Sequence, residues 1–179
     1  MSLPCAEKSW VIFHPFIAKN VYKISEKVIF ETKLLLNDTS LDGDFNGGQL
    51  DAFRHAYWMA LVTKQYGVRK ALSLGKAHEK GNYQYFKKNK HEDGSLPDYE
   101  SSQMDYLNND VGIEIGKMYP NLSADSLKHF IIGKIKEGKL YILKKDKNGR
   151  FITCDNQEIC DSCKIWIKNK CLVPSNYKK

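Results

Sequence analysis

Apolar residues in the first part of the chain recur at helical spacing, not at the alternating spacing of a strand. Ile17, Val21, Ile24, Val28 and Leu35 fall three, four or seven apart with Lys and Glu between them, which predicts a first helix over 14–36. A polar, turn-rich run from Asn37 to Gly48 interrupts the pattern. Leu50, Phe53, Tyr57, Ala60 and Leu61 then mark the inner face of a second helix, starting near Gln49 and stopped by Gly67. A third runs from Val68 to about Glu79, with a continuation past Gly81 to Phe86 left open. Residues 87–97 are charged and rich in breakers, and read as a surface loop. A fourth helix is expected over 101–118, ahead of Pro120. A fifth runs from an N-cap at Ser123 to Lys136, with Gly138 past its end.

After Gly138 the period changes. Leu140–Leu143 and Phe151–Thr153 flank Asp146-Lys147-Asn148-Gly149, whose Asn-Gly pair signals a hairpin turn. The expected fold class is mainly α: a single helical domain of about five helices over 10–138. A small C-terminal β-hairpin and cysteine-rich tail form an appendage over 139–179.

Composition supports a folded domain. The chain has 179 residues, 42% of them hydrophobic, enough to bury a core. No apolar run approaches the ~20 residues that span a bilayer. Val28–Leu36 is among the longest and is broken by Glu31 and Lys33. The 28 Lys and Arg exceed the 21 Asp and Glu, a formal charge of +7. That excess favours an anionic substrate or an envelope component, and leaves nucleic acid open as a partner. Seven Lys and Arg150 crowd 128–150 against Glu137 and Asp146. Such a Lys-rich stretch reads first as a solvated face, because specific phosphate recognition leans on Arg.

Chemistry-bearing residues concentrate on three of the predicted helices. Asp51 and His55 are four apart and share a face, as do His78 and Asn82, and Asp105 and Asn109. Each pair sits among apolar or aromatic neighbours, so these groups point to a core or cleft. Burying His and carboxylates is costly unless they are paired or bind metal, which suggests one shared polar site. Two roles fit. Asp51, His55, His78 and Asp105 could ligate Zn²⁺ or another divalent cation. Alternatively, His55 or His78 is a general base oriented by Asp51, Glu79 or Asp105. With His78 facing inward, its neighbour Glu79 is expected at the rim, about 100° around the helix. The competing structural role is a hydrogen-bonded network that locks helix packing.

Gln49–Trp58, Ala77-His78-Glu79 and Met104–Gly112 together resemble a family of uncharacterised bacterial helical domains. Its motifs are D-x-x-R-H-x-x-W, then H-E, then M-D-x-x-N-N-x-x-G, and such domains are common in exported or toxin-like proteins. The likeness covers about residues 45–118 and implies a helical fold and a site, with no activity attached. A looser similarity links His55, His78-Glu79 and Asp105 to helical HD-class metal phosphohydrolases, although Glu stands where that class has Asp. His78–Tyr83 is faintly similar to the His-Asp doublet of secreted phospholipases A2, without their disulfide-flanked helix.

Two further motifs shape the picture. Asp42–Gly47 matches the first half of a calcium loop, but Phe53 stands where a bidentate Glu closes such loops, so a polar loop entering a helix is the better reading. Cys154, Cys160, Cys163 and Cys171 are spaced C-x5-C-x2-C-x7-C. Two disulfides fit better than a zinc site, which usually has two close pairs. Disulfides place the protein outside the cytosol, as a periplasmic, lipoprotein-anchored or secreted protein; zinc would allow the cytosol. Met1–Lys8 has no apolar stretch of a signal peptide, and Leu3-Pro4-Cys5 matches a lipidation box poorly.

The function expected is therefore that of a bacterial hydrolase, metal-dependent or not, acting on an anionic or phosphoester-bearing substrate. His55, His78, Glu79 and Asp105 are its candidate catalytic groups, and Arg54, Asn82, Asn109 and Trp58 its candidate substrate contacts. The alternatives are a non-catalytic envelope module or a toxin domain, with the polar cluster structural.

Overall fold

The computed structural model describes residues 3–91 and 95–178. Residues 92–94 of the expected surface loop, and Met1 and Ser2 of the N-terminal segment, lie outside them. Six α-helices form among the described residues: α1 (Cys5–Phe13), α2 (Pro15–Leu34), α3 (Gln49–Tyr66), α4 (Val68–Lys87), α5 (Tyr99–Met118) and α6 (Ala124–Lys136). Two short strands follow, β1 (Tyr141–Leu143) and β2 (Leu172–Pro174). The fold is mainly α, with a small antiparallel pair and a disulfide-bonded tail. Helix α1 is the element sequence periodicity did not predict. It is nine residues long and buries only Trp10, too little for a repeat to register. Among the described residues no helix is long and apolar enough to cross a membrane.

Helix α3 is the central element. Leu50, Phe53, Tyr57 and Ala60 pack with Val28 of α2, Leu127, Ile131 and Ile135 of α6, and Ile142 of β1. Met59 and Val62, on another side of α3, join Trp10, Val21, Leu74 and Ile113 in a second cluster. A helix buried on most sides places its few polar residues, Asp51 and His55 among them, inside the protein.

The loop before α3 is a capping device. Asp42 accepts the backbone N–H groups of Asp44, Gln49 and Leu50, and Asp44 accepts that of Asn46 and pairs with Lys145. The Asp42 carboxylate serves the first turn of the helix and Asp44 braces the loop, in keeping with a polar loop entering α3.

The tail differs in its pairing from the predicted hairpin. The Asn148-Gly149 turn forms, with Gly149 at φ 80° and the Asp146 N–H donating to the Arg150 carbonyl at 2.8 Å. Yet Phe151 and Ile152 make only single bridges, and β1 pairs with β2, Ile142 opposite Val173. Phe151 is drawn inward against Met104 and Leu143. Burial of that ring and the Cys154–Cys171 disulfide place β2, not 151–153, beside β1. Cys160 bonds Cys163, so none of the four tail sulfurs is a thiolate that could hold zinc; Cys5 is free and exposed.

The tail also anchors the start of α5. Glu100 accepts the N–H groups of Lys168 and Asn169. Asp98, which caps α5 at Ser101, meets Lys170 at 2.7 Å. Farther along α5, fully buried Asn108 accepts the Tyr141 N–H at 2.9 Å and donates to its carbonyl at 3.0 Å. Asn108→Ala should orphan both strand groups and lower stability by about 1–3 kcal/mol, read by thermal or denaturant unfolding.

Candidate functional site

Three groups from two helices meet inside the protein. Asp51 and His55 lie one turn apart on α3, and Asp105 comes from α5, which packs alongside. His55 Nε2 is 3.4 Å from Asp51 Oδ1 and 3.1 Å from Asp105 Oδ1. One ligand-capable atom from each residue lies within 4.8 Å of the others. The three residues are at most 8% exposed. The remaining Asp51 oxygen accepts the Gly47 N–H at 2.8 Å, so the capping loop fixes the carboxylate.

Arg54 completes the cluster. Its Nη2 lies 2.7 Å from Asp51 Oδ1 and 3.1 Å from His55 Nε2. Burial pushes the Asp51 pKa up, but the Arg54 charge and the His55 hydrogen bond outweigh it and hold the carboxyl well below the usual range. For His55 the balance runs the other way. Burial and the Arg54 charge depress its pKa against the pull of Asp51, so the imidazole is neutral at neutral pH. Nε2 is turned to the two carboxylates, and Nδ1 has no hydrogen-bond partner among the described residues.

The other sequence candidates occupy separate places around this trio. His78, on α4, has its ring 6.2 Å from that of His55, centroid to centroid, and its Nδ1 is 2.7 Å from Glu7 of α1. It lies beside the trio, not within the set at ligand distance. Trp58 stands edge-on to His78 at 5.3 Å. Glu79 is not at the rim as expected: it is buried, more deeply than His78, and accepts the Asn82 amide at 3.1 Å. The face of α4 carrying Gly75, Glu79 and Asn82 is the one turned inward, which rolls His78 toward α1. Asn109 is buried beside Gly75, with neither side-chain polar atom hydrogen-bonded among the described residues.

Two openings reach the cluster. A pocket of about 290 Å³ has walls that include Trp10, Val21, Val28, Trp58 and Leu74. Its polar groups include Arg54, His55, His78 and Glu7. A polar cleft of about 40 Å³ includes Asp51, Arg54, Asn82 and Asp105. Arg54 lines both, so its guanidinium stands between a greasy chamber and an acidic one. Glu7 and the α1–α2 wall were missed at the sequence level. The available signal was Pro15, a helix-start residue that separates two helices at His14.

Chemically, the arrangement offers a neutral imidazole with oriented carboxylates, a fixed cation, and an apolar chamber next to them. Asp51, His55 and Asp105 could also hold one divalent cation. Neither the curated proteins nor the solved structures include one that matches the chain. The profile of one family, described as a domain of unknown function, matches residues 8–139, from within α1 to just past α6. That span includes the trio, Arg54, His78 and Glu79, and the chain belongs to this family, Domain of unknown function (DUF6973).

Proposed function

We propose that the protein is a hydrolase for an ester-bearing substrate, with His55 as general base. The observation that supports this is a buried, neutral His55 whose Nε2 faces Asp51 and Asp105 and whose ring lines a pocket beside Arg54. In the tautomer that acts as base, Nε2–H is directed at Asp51, and Arg54 Nη2 donates to Asp51 Oδ1 and not to Nε2, which leaves the Nδ1 lone pair to take a proton. Water adds through its oxygen to the ester carbon or phosphorus, and its proton passes to Nδ1. The ester C–O or P–O bond then breaks, and the imidazolium returns the proton to the departing alkoxide, giving an acid and an alcohol. Arg54 faces the negative charge that develops on the ester oxygen. The two disulfides are consistent with an oxidising compartment, and we place this activity outside the cytosol, in a bacterial envelope or secreted protein.

A second reading has one observation in its favour. Two buried carboxylates and an imidazole lie within 4.8 Å, with the Arg54 guanidinium on Asp51. A divalent cation held by Asp51, His55 and Asp105 would supply Lewis acidity and an acidified water. The position of Arg54 on Asp51, and an Nδ1 with no hydrogen-bond partner among the described residues, favour the metal-free form, because a metal-bound His is normally steadied through its other nitrogen.

The test is hydrolysis of 4-nitrophenyl butyrate, 4-nitrophenyl phosphate and bis(4-nitrophenyl) phosphate by the purified protein. Because burial depresses the His55 pKa, the base stays neutral at neutral pH. Turnover should hold level there and fall on an acid limb below the ordinary His value of about 6.5. Activity unaffected by EDTA supports the metal-free base. Activity lost to EDTA and restored by Zn²⁺ or Mn²⁺ supports the second reading, and no turnover of any probe ester sinks both.

A further inference from the structure

Seventeen large hydrophobic side chains are exposed among the described residues, and ten of them lie between Leu3 and Leu36. The most exposed meet at the corner between α1 and α2: Ile12 at 72%, Phe13 at 80% and Phe16 at 95%. Tyr22, Phe30 and Leu34 continue the exposure along α2. A patch of bulky apolar side chains on this scale marks an interaction surface.

The charges on the same helices identify the kind of surface it meets. Lys8, Lys19, Lys23, Lys27 and Lys33 are exposed there, against one exposed carboxylate, Glu26. Glu7 is turned to His78, and Glu31 accepts the Tyr57 hydroxyl. Lys is depleted in protein–protein interfaces, whereas Lys mixed with Phe and Leu suits the headgroup region of an anionic bilayer. Each Lys near such a surface adds an attraction that salt screens.

The patch borders the pocket. Val11, Tyr22 and Ile29 are both exposed and part of the pocket lining, and from them apolar walls lead to His55 and Arg54. At about 290 Å³ the pocket is at the small end of the roughly 300–1,000 Å³ typical of small-molecule sites.

We propose that the α1–α2 face docks on an anionic lipid bilayer, and that the substrate is an ester-bearing amphiphile taken up from that surface. Its ester lies at His55, and its chain follows the apolar walls toward the patch. The substrate class rests on the hydrolase reading; the docking surface does not.

The experiment is co-sedimentation of the full chain with vesicles of phosphatidylcholine alone and of phosphatidylcholine with phosphatidylglycerol. Wild-type protein should sediment with the phosphatidylglycerol vesicles, and added salt should weaken the binding. Phe13→Ser/Phe16→Ser and Lys19→Glu/Lys23→Glu alter exposed side chains, and circular dichroism should show an unchanged helical content. Each should weaken binding by about tenfold or more. His55→Gln should bind the vesicles as wild type does. Wild-type protein that stays in the supernatant overturns the proposal, as do folded surface variants that bind undiminished. A dimer in sedimentation velocity that Phe13→Ser/Phe16→Ser dissociates, with no vesicle binding, reassigns the face to a second copy of the chain. Vesicle binding without turnover of any probe ester upholds the docking surface while the hydrolase reading fails. Turnover of soluble esters without vesicle binding does the reverse.

Discussion

His55→Gln is expected to lower turnover of a hydrolysed probe ester by about 10²–10⁴-fold while the protein stays folded. Glutamine approximates the size of the imidazole and can still donate a hydrogen bond toward Asp51 or Asp105, but it has no nitrogen that accepts a proton near neutral pH. The loss should fall mainly on kcat, because the apolar walls that hold substrate are untouched. The acid limb of the pH profile should vanish with it, since His55 is the group assigned to that limb. The measurement is kcat and KM across pH, beside thermal unfolding of the same preparation. A purely structural His55 gives the opposite pattern. Stability would drop by about 1–3 kcal/mol as the buried cluster loses the contacts of the ring, and turnover at a temperature where the variant is folded would be unchanged.

Gly112→Ala is expected to destabilise the protein by about 3 kcal/mol and to disturb the site without touching it. A Cβ at Gly112 would come within 2.2 Å of the Ala56 carbonyl oxygen and 2.7 Å of its Cα. Both are backbone atoms of α3 next to His55, so no side chain can swing away to make room. Helix propensity alone would favour alanine over glycine by about 1 kcal/mol, and the contact outweighs it. Gly133 supplies the control. A Cβ there meets nothing within 4 Å, so Gly133→Ala on α6 should stabilise by about 0.5–1 kcal/mol. Opposite signs for one chemical change on two helices would show that α3 and α5 touch through their backbones. Pushing them apart separates Asp105 from His55, so turnover should fall along with stability. Gly112→Ala unfolding at the same denaturant concentration as wild type would remove this account of the helix contact.

The five long helices were legible in the sequence because their apolar spacing, end signals and caps act locally. Ser123 accepts the Ser126 N–H as an N-cap should, and Gly67 ends α3 at φ 80°. Pairing in the tail was less legible. The Asn148-Gly149 turn is a local signal and it formed, but the choice of β2 as the partner of β1 depends on Phe151 finding Met104, a residue of α5.

Within the site, helical phasing is enough to put Asp51 and His55 on one face. That periodicity is a property of one helix, so it needs no knowledge of the rest of the fold. Phasing could not bring Asp105 to them, because that depends on the backbone contact between α3 and α5 at Gly112. Nor could it tell which of two adjacent residues, His78 or Glu79, faces inward, since only the packing of α4 on α1 and α5 rotates that helix. The pocket was the least legible of all. Its walls come from four successive helices, α1 to α4, and the residue spacing within each carries no information about how they pack on one another. Sequence determined what each helix can present, because that is set by turns of the same segment; tertiary packing alone decided which of those faces meet.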